Sequence, residues 1–280
     1  MRRPLKWGRR MDLQAYFARI GHDGPLAPDR ATLTALMQAH LAAFPFENLD
    51  VQLGRPVSIE PGAIFDKLVV RRRGGWCFEQ NGLFGRVLEA LGFDVRRISA
   101  GVMRHVHGEG AMGNHLALMV ALENRPWLVD VGFGGMQAAP LPLAPGSEHH
   151  PPYDVALRQV DGWWRFEERY GEGDPFSYDF HDAPADEALF ARRCSELQRQ
   201  PESPFVQNLV VLQRRGDRHT TLRGRVLTRR GPAGETHELL PDAEALVERL
   251  ERCFGLQVPE AAGLWDTVCA RHAALFPDQA

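Results

Sequence analysis

The sequence predicts an α+β fold, because the spacing of its apolar residues changes along the chain. Up to about residue 93, apolar side chains recur at the three- and four-residue spacing of amphipathic helices. From about residue 95, short apolar runs alternate with glycine and proline breaks, a pattern typical of strands. The last third mixes both patterns. A chain of 280 residues also suggests a large domain or two to three subdomains.

The first third contains the apolar stripes of successive helices. Two stripes consist of Leu13, Tyr16, Phe17 and Ile20, followed by Leu33, Leu36, Met37 and Leu41. Asp29 is a candidate N-cap for the second stripe. Pro45 interrupts the helical pattern, which predicts a loop over residues 44–50, and a further helix is expected over 63–70.

The remaining two thirds are predicted to contain strands first and then a mixture of strands and helices. The predicted strands are 95–102, 115–122, 127–132 and 163–166, with a glycine-rich loop over 105–114. Further along, the two strands of a hairpin are expected at 205–212 and 220–228, and helices at 242–254 and 259–275.

Composition excludes several classes of protein. The formal net charge is −3, which does not favour nucleic-acid binding, and no apolar run is long enough to cross a membrane. The four cysteines form no CxxC pair, so neither a zinc ribbon nor a thioredoxin motif is expected, and free thiols predict a cytoplasmic protein. Residues 1–10 are basic but lack an apolar segment; they are interpreted as a disordered extension rather than a signal peptide.

Cys77 is the strongest candidate for a catalytic residue. It follows the glycine pair Gly74-Gly75 and precedes an apolar pattern of helical spacing that is expected to end near Gly92. Cys77 is therefore predicted to lie in the first turn of a helix. There, unpaired backbone N–H groups and the helix dipole favour an anionic thiolate. A buried structural cysteine would not need two glycines in front of it.

A cysteine nucleophile needs a base, and His115 and Asp130 are the candidates for the base and its partner. His115 begins one predicted strand, and Asp130 interrupts the apolar run of the next, where a buried acid must find a partner. If the hairpin turns at Glu123-Asn124, Asp130 lies opposite Ala117 and on the same face as His115. A shift of one residue would place the two on opposite faces.

Three glycines follow Asp130 within five residues, at Gly132, Gly134 and Gly135. They would allow backbone amides to approach an anionic or thioester group. The spacing fits neither a dinucleotide-binding motif nor a Walker loop, and a tight turn at the end of a strand is the alternative interpretation.

Together these residues resemble the arylamine N-acetyltransferase family, which includes N-hydroxyarylamine O-acetyltransferases. The matching blocks are PFENL at 45–49, RRGGWCFEQNGL at 72–83, HL at 115–116 and LVDVGFGG at 128–135. Looser matches are SPFV at 203–206 and RCFGL at 252–256. The first four blocks occur in the family's order. One departure is Asn114, where family members commonly have threonine.

The resemblance implies a catalytic triad of Cys77, His115 and Asp130, and a fold of three parts. These parts would be a helical bundle over 11–95, a central β-barrel over 96–202 and a C-terminal α/β lid over 203–280. The bundle and barrel would form a core similar to that of cysteine proteases.

The resemblance also implies the substrates and the residues that hold them. Acetyl-CoA would bind between barrel and lid near Gly132, Gly134 and Gly135, and no metal would be required. Phe46 and Phe133 would line the pocket for a small aromatic amine, hydrazine or N-hydroxyarylamine. Arg73 and Glu47 are interpreted as a buried ion pair.

The expected reaction is acetyl transfer by a ping-pong mechanism through an acetyl-cysteine. Three alternatives remain at this stage. A hydrolase or transglutaminase-type enzyme could use the same three residues without CoA. An amide synthase of antibiotic biosynthesis would take a tethered acyl chain. A non-catalytic binding module is the third alternative, although such a module would need none of the three residues.

Overall fold

The computed structural model describes residues 11–275, and the extension predicted at residues 1–10 lies outside the described residues. The helices are α1 (Leu13–Ile20), α2 (Arg30–Ala43), α3 (Leu49–Gln52), α4 (Pro61–Phe65), α5 (Cys77–Ala90), α6 (Arg104–His107), α7 (Glu187–Leu197), α8 (Pro204–Gln207), α9 (Ala243–Phe254) and α10 (Trp265–Leu275). The strands are β1 (Phe46–Glu47), β2 (Asp94–Val102), β3 (Met112–Leu122), β4 (Arg125–Val129), β5 (Leu141–Pro142), β6 (Gly146–His150), β7 (Tyr153–Val160), β8 (Trp163–Arg169), β9 (Phe176–Phe180), β10 (Val210–Arg215), β11 (Arg218–Arg223), β12 (Val226–Gly231) and β13 (Gly234–Leu239). The α+β prediction is confirmed.

The N-terminal helices form where the sequence predicts them. The side chains of Asp12 and Asp29 cap α1 and α2 by accepting hydrogen bonds from backbone N–H groups of the first turn. The apolar stripes of both helices pack against α5 in one core. Leu118, Val120 and Val129 of the neighbouring sheet close this core, so one face of β3 and β4 is covered by the helices.

The middle of the chain forms an eight-stranded antiparallel sheet with the order β5-β4-β3-β2-β9-β8-β7-β6. The sheet is curled into a half-barrel, whereas a barrel was expected; among the described residues, β5 and β6 are edge strands that do not pair with each other. Its concave face carries a second core that includes Ala117, Leu128 and the ring of Phe166. The two faces of β3 and β4 therefore serve two different cores.

A second, five-stranded sheet has the order β1-β10-β11-β12-β13. Helix α9, predicted over 242–254, packs on it through Leu246, Leu250 and Phe254. β1 pairs with β10 so that Phe46 lies opposite Leu212. This pairing joins the segment just before the Cys77 motif to the C-terminal third of the chain.

Several predicted segments differ from the structure. The predicted loop 44–50 contains β1 and the start of α3, and the predicted loop 105–114 contains α6, a 3₁₀ turn and the first residues of β3. The predicted strand 205–212 begins as α8, because Ser203 caps the helix and Pro204 occupies its first turn. The predicted strand 220–228 is two strands, β11 and β12, joined at Gly224, which has a φ of 58°. A 3₁₀ turn over 259–264 replaces the beginning of the predicted last helix.

Five charged side chains form a buried cluster beneath the Gly74-Gly75 turn. The predicted Arg73–Glu47 ion pair is confirmed, with 2.8 Å between Nη2 and Oε1. Arg73 also lies 3.2 Å from Asp50, and Lys67 Nζ lies 2.9 Å from both Asp50 and Glu79. Because all five groups lie out of water, each depends on its partners for compensation.

We expect Arg73→Met to destabilise the fold by about 3–5 kcal/mol, because it leaves the carboxylate of Glu47 buried without its partner. Arg71→Met is the matched control, since the Arg71–Asp66 pair is about half exposed on both sides and should contribute at most about 1 kcal/mol. Thermal unfolding followed by circular dichroism measures both. Equal losses of melting temperature would contradict a structural role specific to the buried pair.

Candidate active site

Cys77 is the first residue of α5, as predicted, and its side chain is buried. The two preceding glycines are required by close packing. A Cβ at Gly74 would lie 2.1 Å from the carbonyl oxygen of Pro45, and one at Gly75 would lie 2.6 Å from Glu79 Oε2. Glu79 Oε2 accepts the backbone N–H of Trp76 at 3.2 Å and so fixes the entry into the helix. The thiol therefore lies at the N-terminal, positive end of a 14-residue helix.

His115 and Asp130 meet through the hairpin register expected from the sequence. Glu123 and Asn124 form the turn with φ values of 53° and 59°, which the tight two-residue hairpin turn requires. Leu118 then pairs with Val129, and the same register carried one step further sets Ala117 opposite Asp130. His115 Nε2 lies 2.6 Å from Asp130 Oδ2, and both side chains are buried.

Asn81 is a residue whose role the sequence analysis missed. It lies one helical turn after Cys77 and donates from Nδ2 to the Leu116 carbonyl at 2.6 Å and to Asp130 Oδ1 at 2.8 Å. Its Oδ1 accepts the backbone N–H of Val131 at 3.0 Å. A signal was present in the sequence, because an asparagine on the buried side of a helix requires a polar partner.

The electrostatics of the site favour a charged imidazole. Burial opposes the positive charge, yet the Asp130 carboxylate and the hydrogen bonds to Asp130 and Cys77 raise the pKa of His115 to about 10. Burial would raise the pKa of Asp130, but His115, Asn81 and the amide of Gly132 lower it. With Nε2 engaged by Asp130, the other ring nitrogen is the one available to the thiol. The Cys77 Sγ also lies 3.9 Å from the Asn114 carbonyl oxygen.

Aromatic rings surround the imidazole. The Phe133 centroid lies 5.0 Å and the Tyr178 centroid 4.8 Å from that of His115. Phe176 stacks on Phe133 at 5.1 Å with an interplanar angle of 6°. Phe46 belongs to the same buried cluster as Cys77. The two predicted phenylalanines therefore lie near the thiol and the imidazole, whereas Phe176 and Tyr178 were missed because no pattern within β9 indicated which strands would flank it.

The glycines after Asp130 have structural roles of their own. A Cβ on Gly132 would lie 2.7 Å from the Cys77 Cα, and the Gly132 amide already donates to Asp130 Oδ1 at 2.8 Å. The carbonyl of Gly134 accepts from His219 Nε2 at 2.7 Å, and that of Gly135 accepts from Arg214 at 3.2 Å. Within residues 11–275, no acceptor bonds the amides of Gly134 and Gly135. Their predicted contact with CoA stays a prediction.

Across residues 11–275, no group of three or more histidine, cysteine, aspartate or glutamate side chains is arranged to hold a metal ion. Over the same part of the chain, no helix combines the length and apolar character needed to span a membrane. The candidate site itself contains a thiol, an imidazole and a carboxylate, which is an arrangement that can form and break a thioester.

Comparison with known proteins agrees with this chemistry. The family model described as N-acetyltransferase matches residues 29–262. An arylamine N-acetyltransferase of Mycolicibacterium smegmatis is 37% identical over 90% of this chain and 94% of its own length. An arylamine N-acetyltransferase / N-hydroxyarylamine O-acetyltransferase of Salmonella typhimurium is 34% identical over 88% of this chain and 89% of its own. The structure of the Mycobacterium marinum arylamine N-acetyltransferase in complex with CoA superposes with a TM-score of 0.83 at 33% identity, covering 93% of this chain and 98% of that one.

The fold and the site, together with the matching family model, define an enzyme of the acyltransferase class. Membership of a transferase family favours acyl transfer over the hydrolase and the non-catalytic binding module. The chain belongs to the arylamine N-acetyltransferase family.

We expect the His115 imidazole to remain protonated well above pH 8, and Asp130→Asn to lower its pKa because the neighbouring negative charge is lost. A histidine pKa raised from 6.5 to about 10 stabilises the fold fully below pH 6.5, and this stabilisation is lost as the pH rises towards 10. The decline in stability over this range should therefore become smaller in the variant. Nuclear magnetic resonance titration of the imidazole and thermal unfolding at several pH values measure both effects.

His219 is the internal control for that titration. It is equally buried, but burial and the charges of Arg214 and Arg230 lower its pKa to about 4, against the hydrogen bond to Gly134. Its signals should stay those of a neutral ring between pH 5 and 9 in both proteins. A His115 ring that titrates near its ordinary pKa in the unmodified protein would contradict the assigned charge state.

Proposed function

We propose that this protein transfers the acetyl group of acetyl-CoA to small aromatic amines, hydrazines and N-hydroxyarylamines through an acetyl-Cys77 intermediate. The observation that carries this proposal is the 2.6 Å contact between His115 and Asp130 directly beside the thiol at the start of α5. A cysteine nucleophile is activated by such a base, and the base is commonly oriented by a third group such as this carboxylate.

In the first half-reaction, the Cys77 thiolate attacks the thioester carbonyl carbon of acetyl-CoA. The new C–S bond forms a tetrahedral oxyanion, which the backbone N–H of Cys77 at the helix start is placed to stabilise. The bond to the CoA sulfur then breaks, and His115 gives its proton to that sulfur. Asp130 holds the imidazole in the required orientation and stabilises its charged form. The products are acetyl-Cys77 and free CoA.

In the second half-reaction, the neutral nitrogen of the acceptor attacks the acetyl carbonyl. His115, now neutral, takes the proton of that nitrogen, and the bond to Cys77 Sγ breaks. The acetylated amine leaves, and the thiolate and imidazolium are restored. The reaction thus needs no group beyond the two substrates and the three side chains.

The walls of the site support a flat acceptor. Phe133 flanks the imidazole and Phe46 lies in the cluster that contains the thiol, so an aromatic ring would be held by apolar and stacking contacts. The names of the relatives support arylamines and N-hydroxyarylamines as acceptors. CoA would lie between the half-barrel and a C-terminal lid over 203–280, with the open amides of Gly134 and Gly135 facing it. We place this reaction in the cytoplasm.

Acetyl-CoA without an acceptor should add the mass of one acetyl group to the protein, on the peptide that contains Cys77. An aromatic amine or hydrazine should then remove it. Intact mass spectrometry with peptide mapping measures both steps. Cys77→Ala should accept no acetyl group.

Cys194→Ala is the matched control, because Cys194 is a second buried thiol of the same apolar cluster, and burial raises its pKa to about 12. This variant should be acetylated at the normal rate. Loss of labelling in Cys194→Ala but not in Cys77→Ala would overturn the assigned nucleophile. A folded protein that leaves acetyl-CoA unchanged would point to another acyl donor, such as the tethered chain of an amide synthase.

Phe133→Leu should lower kcat/KM for an aromatic amine by about tenfold, since it removes the aromatic ring that flanks His115. The rate of acetylation of Cys77 by acetyl-CoA should change by less than about twofold, because the thiol, the imidazole and the carboxylate keep their contacts. Steady-state kinetics and rapid-quench mass spectrometry measure the two halves separately. A loss confined to the acetylation step would contradict a role in acceptor binding.

A further inference from the structure

Glu168 lies on the same face of the half-barrel as the candidate triad. In the ladder of β8 and β9, Phe166 is opposite Tyr178 and Glu168 is opposite Phe176, and opposite residues point to one side. Phe166 and Tyr178 belong to the concave core. Ala100 of β2 is opposite both Phe180 and His115. The side chains of Glu168, Phe176 and His115 therefore share the concave face.

The carboxyl of Glu168 has no partner there. The residue is 4% exposed, and its buried Oε2 accepts no hydrogen bond; in the part of the chain that the structure describes, no cation forms an ion pair with it. A buried polar group without a hydrogen bond is unfavourable and calls for an explanation.

Its surroundings favour the uncharged form of this carboxyl. Burial, followed by the negative charge of Asp130, raises the pKa of Glu168 well above its ordinary value, and the His115 cation opposes this only in part. The other titratable groups in electrostatic contact are Tyr153 of β7 and Tyr178 of β9, and burial raises the pKa of both phenols. A neutral carboxyl offers one O–H donor and one carbonyl acceptor.

A line of contacts leads from the reacting atoms to Glu168. The Phe133 ring lies 5.0 Å from His115, and the Phe176 ring stacks on Phe133 at 5.1 Å. Phe176 is 46% exposed, so this pair of rings borders solvent. Glu168 is the direct ladder neighbour of Phe176, at a Cβ distance of roughly 4.5–5.5 Å. An aromatic ring held against Phe133 and Phe176, with its nitrogen at Cys77, would direct its far end towards Glu168.

We propose that Glu168 determines acceptor specificity by forming a hydrogen bond to an uncharged polar substituent on the side of the aromatic ring opposite the reacting nitrogen. This inference rests on the proposed acetyl transfer to aromatic amines. The class of acceptor is an arylamine that carries a hydroxyl, hydroxymethyl or amide group at that end. A purely apolar arene of the same size leaves the carboxyl unpaired and binds less well.

Two acceptors of nearly equal size test the proposal, 4-aminobenzyl alcohol and 4-ethylaniline. The unmodified protein should show a kcat/KM about tenfold or more higher for the alcohol. Glu168→Leu should reduce that ratio to about one, and Glu168→Gln, which keeps a donor and an acceptor, should retain most of it. Glu167→Gln is the matched control, since Glu167 points to the other face and pairs there with Arg158 at 2.8 Å. An unchanged ratio in Glu168→Leu would overturn the proposal, as would an equal change in Glu167→Gln.

Acetylation of Cys77 by acetyl-CoA, measured on every variant by intact mass, separates this inference from the proposed function. If the unmodified protein is not acetylated, the proposed function fails. If acetylation is normal but the acceptor ratio does not depend on Glu168, only the present inference fails.

Infrared difference spectroscopy provides a second measurement that does not depend on the folding of Glu168→Leu. The unmodified protein should show the C=O band of a protonated carboxyl that is absent from Glu168→Gln. Benzyl alcohol, which has no reacting nitrogen, should shift this band, and ethylbenzene should not. A band that is unmoved by saturating benzyl alcohol would overturn the proposal.

Discussion

The side-chain amide of Asn81 is the connection on which the rest of the site depends. It joins the helix that begins with the thiol to the two strands that carry the imidazole and the carboxylate, through bonds to Leu116, Asp130 and Val131. Because Asn81 lies one turn after Cys77, these bonds fix the start of α5 against the sheet. Together with the apolar packing of α5 against β3 and β4, this amide sets the geometry between Cys77 and His115 that acyl transfer requires.

The buried charges around the Gly74-Gly75 turn serve the same end. Glu79 accepts a hydrogen bond from the Trp76 N–H and forms an ion pair with Lys67. On the other side of the turn, Arg73 forms an ion pair with Glu47. The turn is thereby held from both sides. It can pack closely against Pro45 and Glu79 because Gly74 and Gly75 have no Cβ atoms. Such a buried network contributes little net stability compared with apolar packing, but it specifies one arrangement, since any other would leave a charge unpaired.

The two proposed substrates would contact different parts of the fold. The concave face of the half-barrel supplies the rings of Phe133, Phe176 and Tyr178 beside His115. The glycine loop after Asp130 is held from the C-terminal sheet, where Arg214 and His219 bind its carbonyls. The rings proposed for acceptor recognition therefore come mainly from the half-barrel, with Phe46 from β1 of the second sheet, whereas the proposed CoA contacts lie between the two sheets.

The sequence by itself determined the helix that begins at Cys77, the capped helices α1 and α2, and the hairpin that sets His115 and Asp130 on one face. Each of these depends on neighbours in the chain: a glycine pair, an aspartate cap, a two-residue turn and a period of two. The tertiary structure alone decided that β9 pairs with β2, that β1 pairs with β10, and therefore that Tyr178, Phe176 and Glu168 lie near the imidazole. These pairings join segments tens to more than a hundred residues apart, and many strands have compatible patterns. Long-range packing determines which strands pair, and the local sequence does not indicate these pairings.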